Sequence, residues 1–222
     1  RQEDHGREDF SDEGGGEEGL MSLFITFEGG DGSGKSTQIE LVAKALRADG
    51  HEVVLGREPG GTPVGREIRR VLLHGEHLSG RTEALLFAAD RSHHVDTHIL
   101  PALKRGAIVL SDRYYDSSIA YQGAARSLGT EEVARLNAWA TGGLVPDRTF
   151  YLDVSAEAGL ERMRGEHDRL ESEGVDFQRR VREQYRALIA AEPDRFVVID
   201  GERPAEEIAA DIYGGIARML TP

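Results

Sequence analysis

Five short apolar runs punctuate the chain, and between them lie longer stretches with apolar residues at helical spacing. The runs are Leu23-Phe24-Ile25-Thr26-Phe27, His51-Glu52-Val53-Val54-Leu55, Ala107-Ile108-Val109-Leu110, Thr149-Phe150-Tyr151-Leu152 and Phe196-Val197-Val198-Ile199. β-Branched and aromatic residues dominate them, as expected of strands buried on both faces. Ile39, Val42, Ala43 and Leu46 recur with the period of a helix, and so do Val64, Ile68, Val71 and Leu72. Thr62 ahead of Pro63 supplies an N-cap and a first helical residue for the second of these. A long helix is expected over 81–103, shorter ones over 117–125 and 130–141, another before the last strand, and a final one over 204–220. Strands separated by helices predict a three-layer α/β fold. In such a fold a parallel five-stranded sheet carries helices on both faces and binds ligands at the strands' carboxyl ends.

Composition narrows the picture at three points. The first twenty residues hold eight acidic side chains against two arginines, a net of −6 within the chain's −13, with Gly14-Gly15-Gly16 and almost nothing apolar. Such a segment cannot bury enough surface to fold alone, so 1–20 is expected to be a disordered tail and 21–222 the folded domain. The opening at Arg1 hints at excision from something longer, and Met21 at an alternative start. An acidic balance argues against a general nucleic-acid binder, whose phosphate contacts need a basic surface, so anionic ligands must be met by local clusters of arginine. Zero cysteines exclude disulfides and thiolate metal sites. No apolar run is long enough to span a membrane or to act as a secretory leader.

The candidate chemistry starts at Gly29-Gly30-Asp31-Gly32-Ser33-Gly34-Lys35-Ser36-Thr37, which fits G-x-x-x-x-G-K-[ST] between a predicted strand and a predicted helix. Glycines let backbone N–H groups turn inward around an anion, and the helix N-terminus adds partial positive charge. In this pattern Lys35 reaches the β- and γ-phosphates of a nucleoside triphosphate, and the Ser36 hydroxyl ligates Mg²⁺. Asp112, closing a buried strand, stands where an acidic residue holds the same ion through water. The loop alone leaves a GTPase, a motor, a transporter ATPase or a small-molecule kinase open. The absence of Asn-Lys-x-Asp weakens the first.

Four further blocks, in this order, narrow the choice. They are Arg57-Glu58-Pro59-Gly60-Gly61-Thr62, Leu86-Phe87-Ala88-Ala89-Asp90-Arg91, Asp112-Arg113-Tyr114-Tyr115-Asp116-Ser117-Ser118-Ile119-Ala120-Tyr121-Gln122-Gly123 and Pro146-Asp147-Arg148-Thr149-Phe150-Tyr151-Leu152-Asp153. Together they resemble the thymidylate kinases, which phosphorylate dTMP to dTDP with ATP, over about 23–220. The chemistry is consistent with that family. A nucleotide monophosphate dianion needs a fork of donors, which Arg57 and Arg113 can provide. The resemblance implies that Phe87 stacks on the base and that Arg91, one turn later, donates to its carbonyl. Taken alone, Phe87 reads as core.

The resemblance further implies that Ser118 lies near the base edge, that Tyr121 packs against C2′, and that Gln122 lines the same pocket. It places Asp31 on the acceptor side. In one branch of the family an arginine follows that aspartate. Here Gly32 does, so the arginine-rich segment 162–174 is expected to act as a lid. There Arg169 is the first choice for a catalytic arginine, Arg164 and Arg162 support it, and Asp168 and Glu171 face the acceptor. Arg203 is a candidate beside adenine. His94 and His98, four apart, are expected on an exposed helix face. The family also implies Mg²⁺, a homodimer and a cytoplasmic setting. The rivals are a neighbouring monophosphate kinase and a nucleotide-dependent binding module.

Overall fold

The computed structural model describes residues 22–163, 169–170 and 173–221. The predicted tail lies outside the described residues, as do Arg164, Asp168 and Glu171.

Five parallel strands form one sheet: β1 (Leu23–Glu28), β2 (Val53–Arg57), β3 (Ile108–Asp112), β4 (Arg148–Asp153) and β5 (Phe196–Asp200), in spatial order β2-β3-β1-β4-β5. β1 is central and every residue of it is buried. Alternation along the strands sorts side chains into two cores. Ile25, Phe27, Leu110, Phe150 and Leu152 face α1 (Lys35–Ala48) and α9 (Ala205–Leu220), meeting Val42, Leu46, Ile208, Ile212 and Ile216. Phe24 and Val109 face the other way, onto Val95, Ile99 and Tyr114. Tyr151 and Phe196 meet Phe177, Val181 and Tyr185 of α8 (Val175–Ala191) on that second face.

The sequence expectations hold for element order, with two boundary corrections. β2 runs over Val53–Arg57 rather than 51–55, because the ladder to β3 pairs Val53 with Ile108 and Arg57 with Asp112. β3 likewise continues through polar Ser111 and Asp112, each paired to a residue of β1. The long helix over 81–103 is α3 (Gly80–His94), a π-helical turn at Val95–Ile99, and α4 (Leu100–Lys104). A second π turn, Ile119–Ala125, follows the short α5 (Tyr115–Ser118), ahead of α6 (Thr130–Ala140). π turns inside helices often mark functional sites, and this one carries Tyr121 and Gln122. Thr62 caps α2 (Pro63–His74), accepting from the Gly65 N–H at 2.9 Å.

A helix absent from the sequence expectations, α7 (Ala156–Arg162), packs against the glycine loop. A Cβ added to Gly32, whose φ is +73°, would lie 2.1 Å from the Gly159 carbonyl oxygen. Position 32 therefore has no room here for a side chain.

Candidate active site

The carboxyl ends of β1, β2 and β3 bring the loop, Arg57 and Asp112-Arg113 together. Gly34 adopts φ +91° at the N-cap of α1 and no side chain caps that helix, so its first N–H groups point toward an incoming anion. Lys35 curls over the loop, donating to the carbonyls of Gly29 at 3.2 Å and Gly30 at 2.9 Å and to Ser33 Oγ at 3.3 Å. Burial pushes its ammonium down to about 8, with the neighbouring Arg113 charge acting the same way. Ser36 donates its hydroxyl to Asp112 Oδ2 at 2.9 Å, in an exposed setting at the mouth of the loop.

Arg113 is held from four directions. Its backbone is left-handed, with φ +69°, a conformation costly for a non-glycine residue and held here by surrounding contacts. Nη1 donates to the Gly29 carbonyl at 3.1 Å and Ser117 Oγ at 3.0 Å. Nη2 donates to Asp31 Oδ1 at 2.5 Å and Tyr121 Oη at 3.2 Å. Asp31 also accepts from the Tyr121 hydroxyl at 3.1 Å and the Gln178 amide at 2.9 Å. Burial alone would raise the Asp31 carboxyl, but Arg113 and Lys35 outweigh it and hold it below the usual range.

Behind them, Glu28 at the end of β1 accepts from the Tyr114 N–H at 2.8 Å, Ser117 Oγ at 2.6 Å and Tyr185 Oη at 2.7 Å. Complete burial, with Asp116 nearby, pushes its carboxyl up to about 7.

Two cavities open on this cluster. One of 540 Å³ follows the loop from Asp31 to Thr37 and includes Arg57, Asp112 and Arg162. The other is lined by Phe87, Arg91, Ser118, Tyr121 and Gln122, with Leu73 and Leu170 on its apolar side. Asp31, Glu58, Arg69 and Arg113 line both, so the cavities meet at two arginines and two carboxylates.

The thymidylate kinase family model matches residues 27–212. A thymidylate kinase of Clavibacter michiganensis subsp. michiganensis is 54% identical over 197 residues, 87% of this chain and 93% of the relative. That of Leifsonia xyli subsp. xyli is 56% identical over 194 residues, covering 86% and 92% of the two chains. That of Halothermothrix orenii is 52% identical over 207 residues, covering 90% and 99%. The chain belongs to the thymidylate kinase family.

Within this member of the thymidylate kinases, the residues singled out in the sequence are distributed unevenly. Lys35, Ser36, Asp112 and Arg113 stand together at the loop, and Phe87, Arg91, Ser118, Tyr121 and Gln122 line the second cavity. Phe87 both lines the cavity and packs with Leu72, Leu73 and Leu170. Arg91 is fully buried and donates Nε to Glu58 Oε2 at 2.6 Å, Nη1 to Ser118 Oγ at 2.9 Å and to Asn137 Oδ1, and Nη2 to the Tyr114 carbonyl at 3.1 Å. A guanidinium has five N–H bonds, so one Nη2 hydrogen remains for a ligand oxygen.

Four residues stand elsewhere than the sequence suggested. Arg57 lines the loop-side cavity, not the one lined by Phe87. Arg169 is not beside the loop. Its Nη2 lies 2.6 Å from Glu83 Oε2, and its Nε donates to the Leu72 carbonyl at 2.9 Å. The described arginine of the 162–174 segment that reaches the loop-side cavity is Arg162, anchored on the Gly201 carbonyl at 3.0 Å. His94 is fully buried, with Nδ1 2.9 Å from Glu58 Oε1, and corrects the expectation of an exposed face. The cause is Glu58, whose carboxylate clamps Arg91 and His94 from outside their own helix. Arg203 is paired to Asp211 and Glu207 on α9 and lines neither of these cavities.

Arg69 of α2 and Gln178 of α8 belong to the site but had no sequence signal. Each contributes through its position on a helix whose apolar stripe says nothing about its polar edge.

Proposed function

We propose that this chain transfers the γ-phosphoryl group of ATP to dTMP, yielding dTDP and ADP. The observation that carries the reading is the junction of the two cavities at Asp31, Glu58, Arg69 and Arg113, with the phosphate loop on one side and Phe87 and Arg91 on the other. ATP lies along the loop, its phosphates on the α1 N–H groups and Lys35. The thymine ring stacks on Phe87 and its carbonyl accepts the remaining Arg91 hydrogen. A phosphate oxygen of dTMP attacks the γ-phosphorus as the β–γ bridging bond breaks, and ADP leaves with that electron pair. The attacking dianion carries no proton to lose, so no general base is needed. What the protein supplies is alignment and positive charge, from Lys35, Arg113, Arg57 and Arg162, the described lid-segment arginine that lines the loop-side cavity.

Mg²⁺ fits the oxygen donors present. The Ser36 hydroxyl and Asp112 carboxylate are adjacent and exposed at the loop. No cluster of three or more ligating side chains occurs among the described residues, which suits an ion that keeps its waters and takes the rest from substrate phosphates. Bound there, the ion would neutralise charge on the β- and γ-oxygens. Val64 and Val71 of α2, Leu85 of α3 and Trp139 of α6 are exposed apolar side chains that a second copy of the chain would cover, and sedimentation would read the dimer. No described helix is long and apolar enough to cross a membrane, and a cytoplasmic setting, where ATP is plentiful, completes the reading.

The test is an acceptor panel of dTMP, dUMP, thymidine and dCMP with Mg²⁺ and ATP, following ADP release and the phosphorylated product. The expected result is turnover strongest with dTMP. Failure to form dTDP would end the proposal, and a preference for another monophosphate would move the chain to the neighbouring kinase.

A further inference from the structure

Glu83, on the first turn of α3, is a fully buried carboxylate approached by three side chains, two from the second π turn and its end and one from beyond α7. Gln122 Nε2 donates to Oε1 at 2.8 Å, Arg126 Nη2 lies 3.3 Å from Oε2, and Arg169 Nη2 lies 2.6 Å from the same oxygen. Arg126 also reaches Glu173 at 2.6 Å, so two arginines and two carboxylates form a neutral cluster. Burying an acid this thoroughly is strongly unfavourable unless its partners stay in place.

Arg169 does more than balance charge. Its Nε donates to the Leu72 carbonyl and its backbone N–H to the Leu73 carbonyl at 3.4 Å, so it caps the last turn of α2 while pairing with the first turn of α3. The next residue, Leu170, is thereby set against Leu72, Leu73 and Phe87 and becomes a wall of the second cavity.

We propose that Glu83 and Arg169 are positioning residues that clasp the Arg169–Leu170 turn onto the acceptor pocket, so that nucleotide monophosphate binding depends on this ion pair. The inference rests on the assignment of that pocket to dTMP. The same carboxylate ties down the amide nitrogen of Gln122, which itself lines the pocket. The clasp therefore shapes the base site from two sides, with neither Glu83 nor Arg169 touching the reacting atoms.

The experiment compares wild type with Glu83→Gln, Arg169→Met, Arg169→Lys and the Glu83→Gln/Arg169→Met double variant. It reads kcat, KM for each nucleotide, the calorimetric Kd for dTMP and the melting temperature. Glu83→Gln keeps an oxygen for the Gln122 amide but ends the attraction for Arg169. Either charge-removing single variant is expected to raise KM and Kd for dTMP about tenfold or more, with KM for ATP within about twofold. The double variant should be no worse than the poorer single, the non-additivity of a shared contact, and Arg169→Lys should recover part of the loss.

A fall in kcat with unchanged KM for dTMP would overturn the clasp and return Arg169 to the transferring group. Additive losses, or equal losses for both nucleotides, would overturn it in favour of general damage to the fold. If Glu83→Gln does not fold, the two Arg169 variants decide the matter. Wild type that binds no dTMP would overturn the functional reading itself, whereas active wild type with unaffected variants overturns the clasp alone.

Discussion

Replacing Arg113 by lysine tests the centre of the site, because it keeps the charge and removes the fork. The guanidinium makes four Nη contacts, to Gly29, Ser117, Asp31 and Tyr121. An ammonium has three donors and no plane, so at least one of these four contacts is lost. A charge-assisted hydrogen bond is worth about 1.5–3 kcal/mol. At 1.36 kcal/mol per factor of ten, turnover should fall by about 10- to 150-fold. Stability should change far less. Asp31 still accepts from Tyr121 and Gln178, so no carboxylate is orphaned, and the left-handed backbone costs lysine no more than arginine. The measurement is ADP release at saturating ATP and dTMP, beside a thermal melt of the same preparation. Turnover within threefold of wild type, from protein that melts normally, would refute the claim that Arg113 geometry stabilises the transferring group.

Phe87→Leu should weaken dTMP by on the order of 1–3 kcal/mol and leave ATP affinity alone. Leucine preserves packing against Leu72, Leu73 and Leu170, where alanine would open a cavity, so equal losses for both nucleotides would assign Phe87 to the core. Asp112→Asn should raise the Mg²⁺ concentration for half-maximal rate at least about tenfold, and a magnesium titration that overlays wild type would remove Asp112 from the metal site. Glu28 gives a pH signature. Its folded pKa, about 7, lies above the unfolded value near 4.5, so the native state holds the proton more tightly. Stability from this group is full below about 4.5 and lost as pH rises through 7. The wild type minus Glu28→Gln difference in urea stability should therefore fall by about 3 kcal/mol between pH 4.5 and 8, and a pH-independent difference would contradict it.

The strand–glycine–helix unit and the order of the elements could be read directly, because periodicity and turn chemistry are local. Strand ends could not. Ser111 and Asp112 look like loop but are drawn into the ladder by β1 and β2 on either side. The same limit governed the site. Lys35, Ser36, Asp112 and Arg113 lie inside or beside a motif, and they stand together at the loop. His94 looked exposed because Glu58, the residue that makes its burial tolerable, comes from 36 positions away. An arginine in a basic segment carries no mark of its partner, and for Arg169 that partner is Glu83.

The contact between Gly32 and Gly159 has a consequence for how this kinase can be altered. α7 presses its backbone against the loop at Gly159 and carries Arg162 one turn further on, at the edge of the same cavity. One helix thus excludes a side chain at position 32 and carries Arg162 at its own end. Grafting an arginine at position 32 would push away the helix that supplies the alternative, so the two solutions exclude each other. A lineage could pass between them only by moving α7 first.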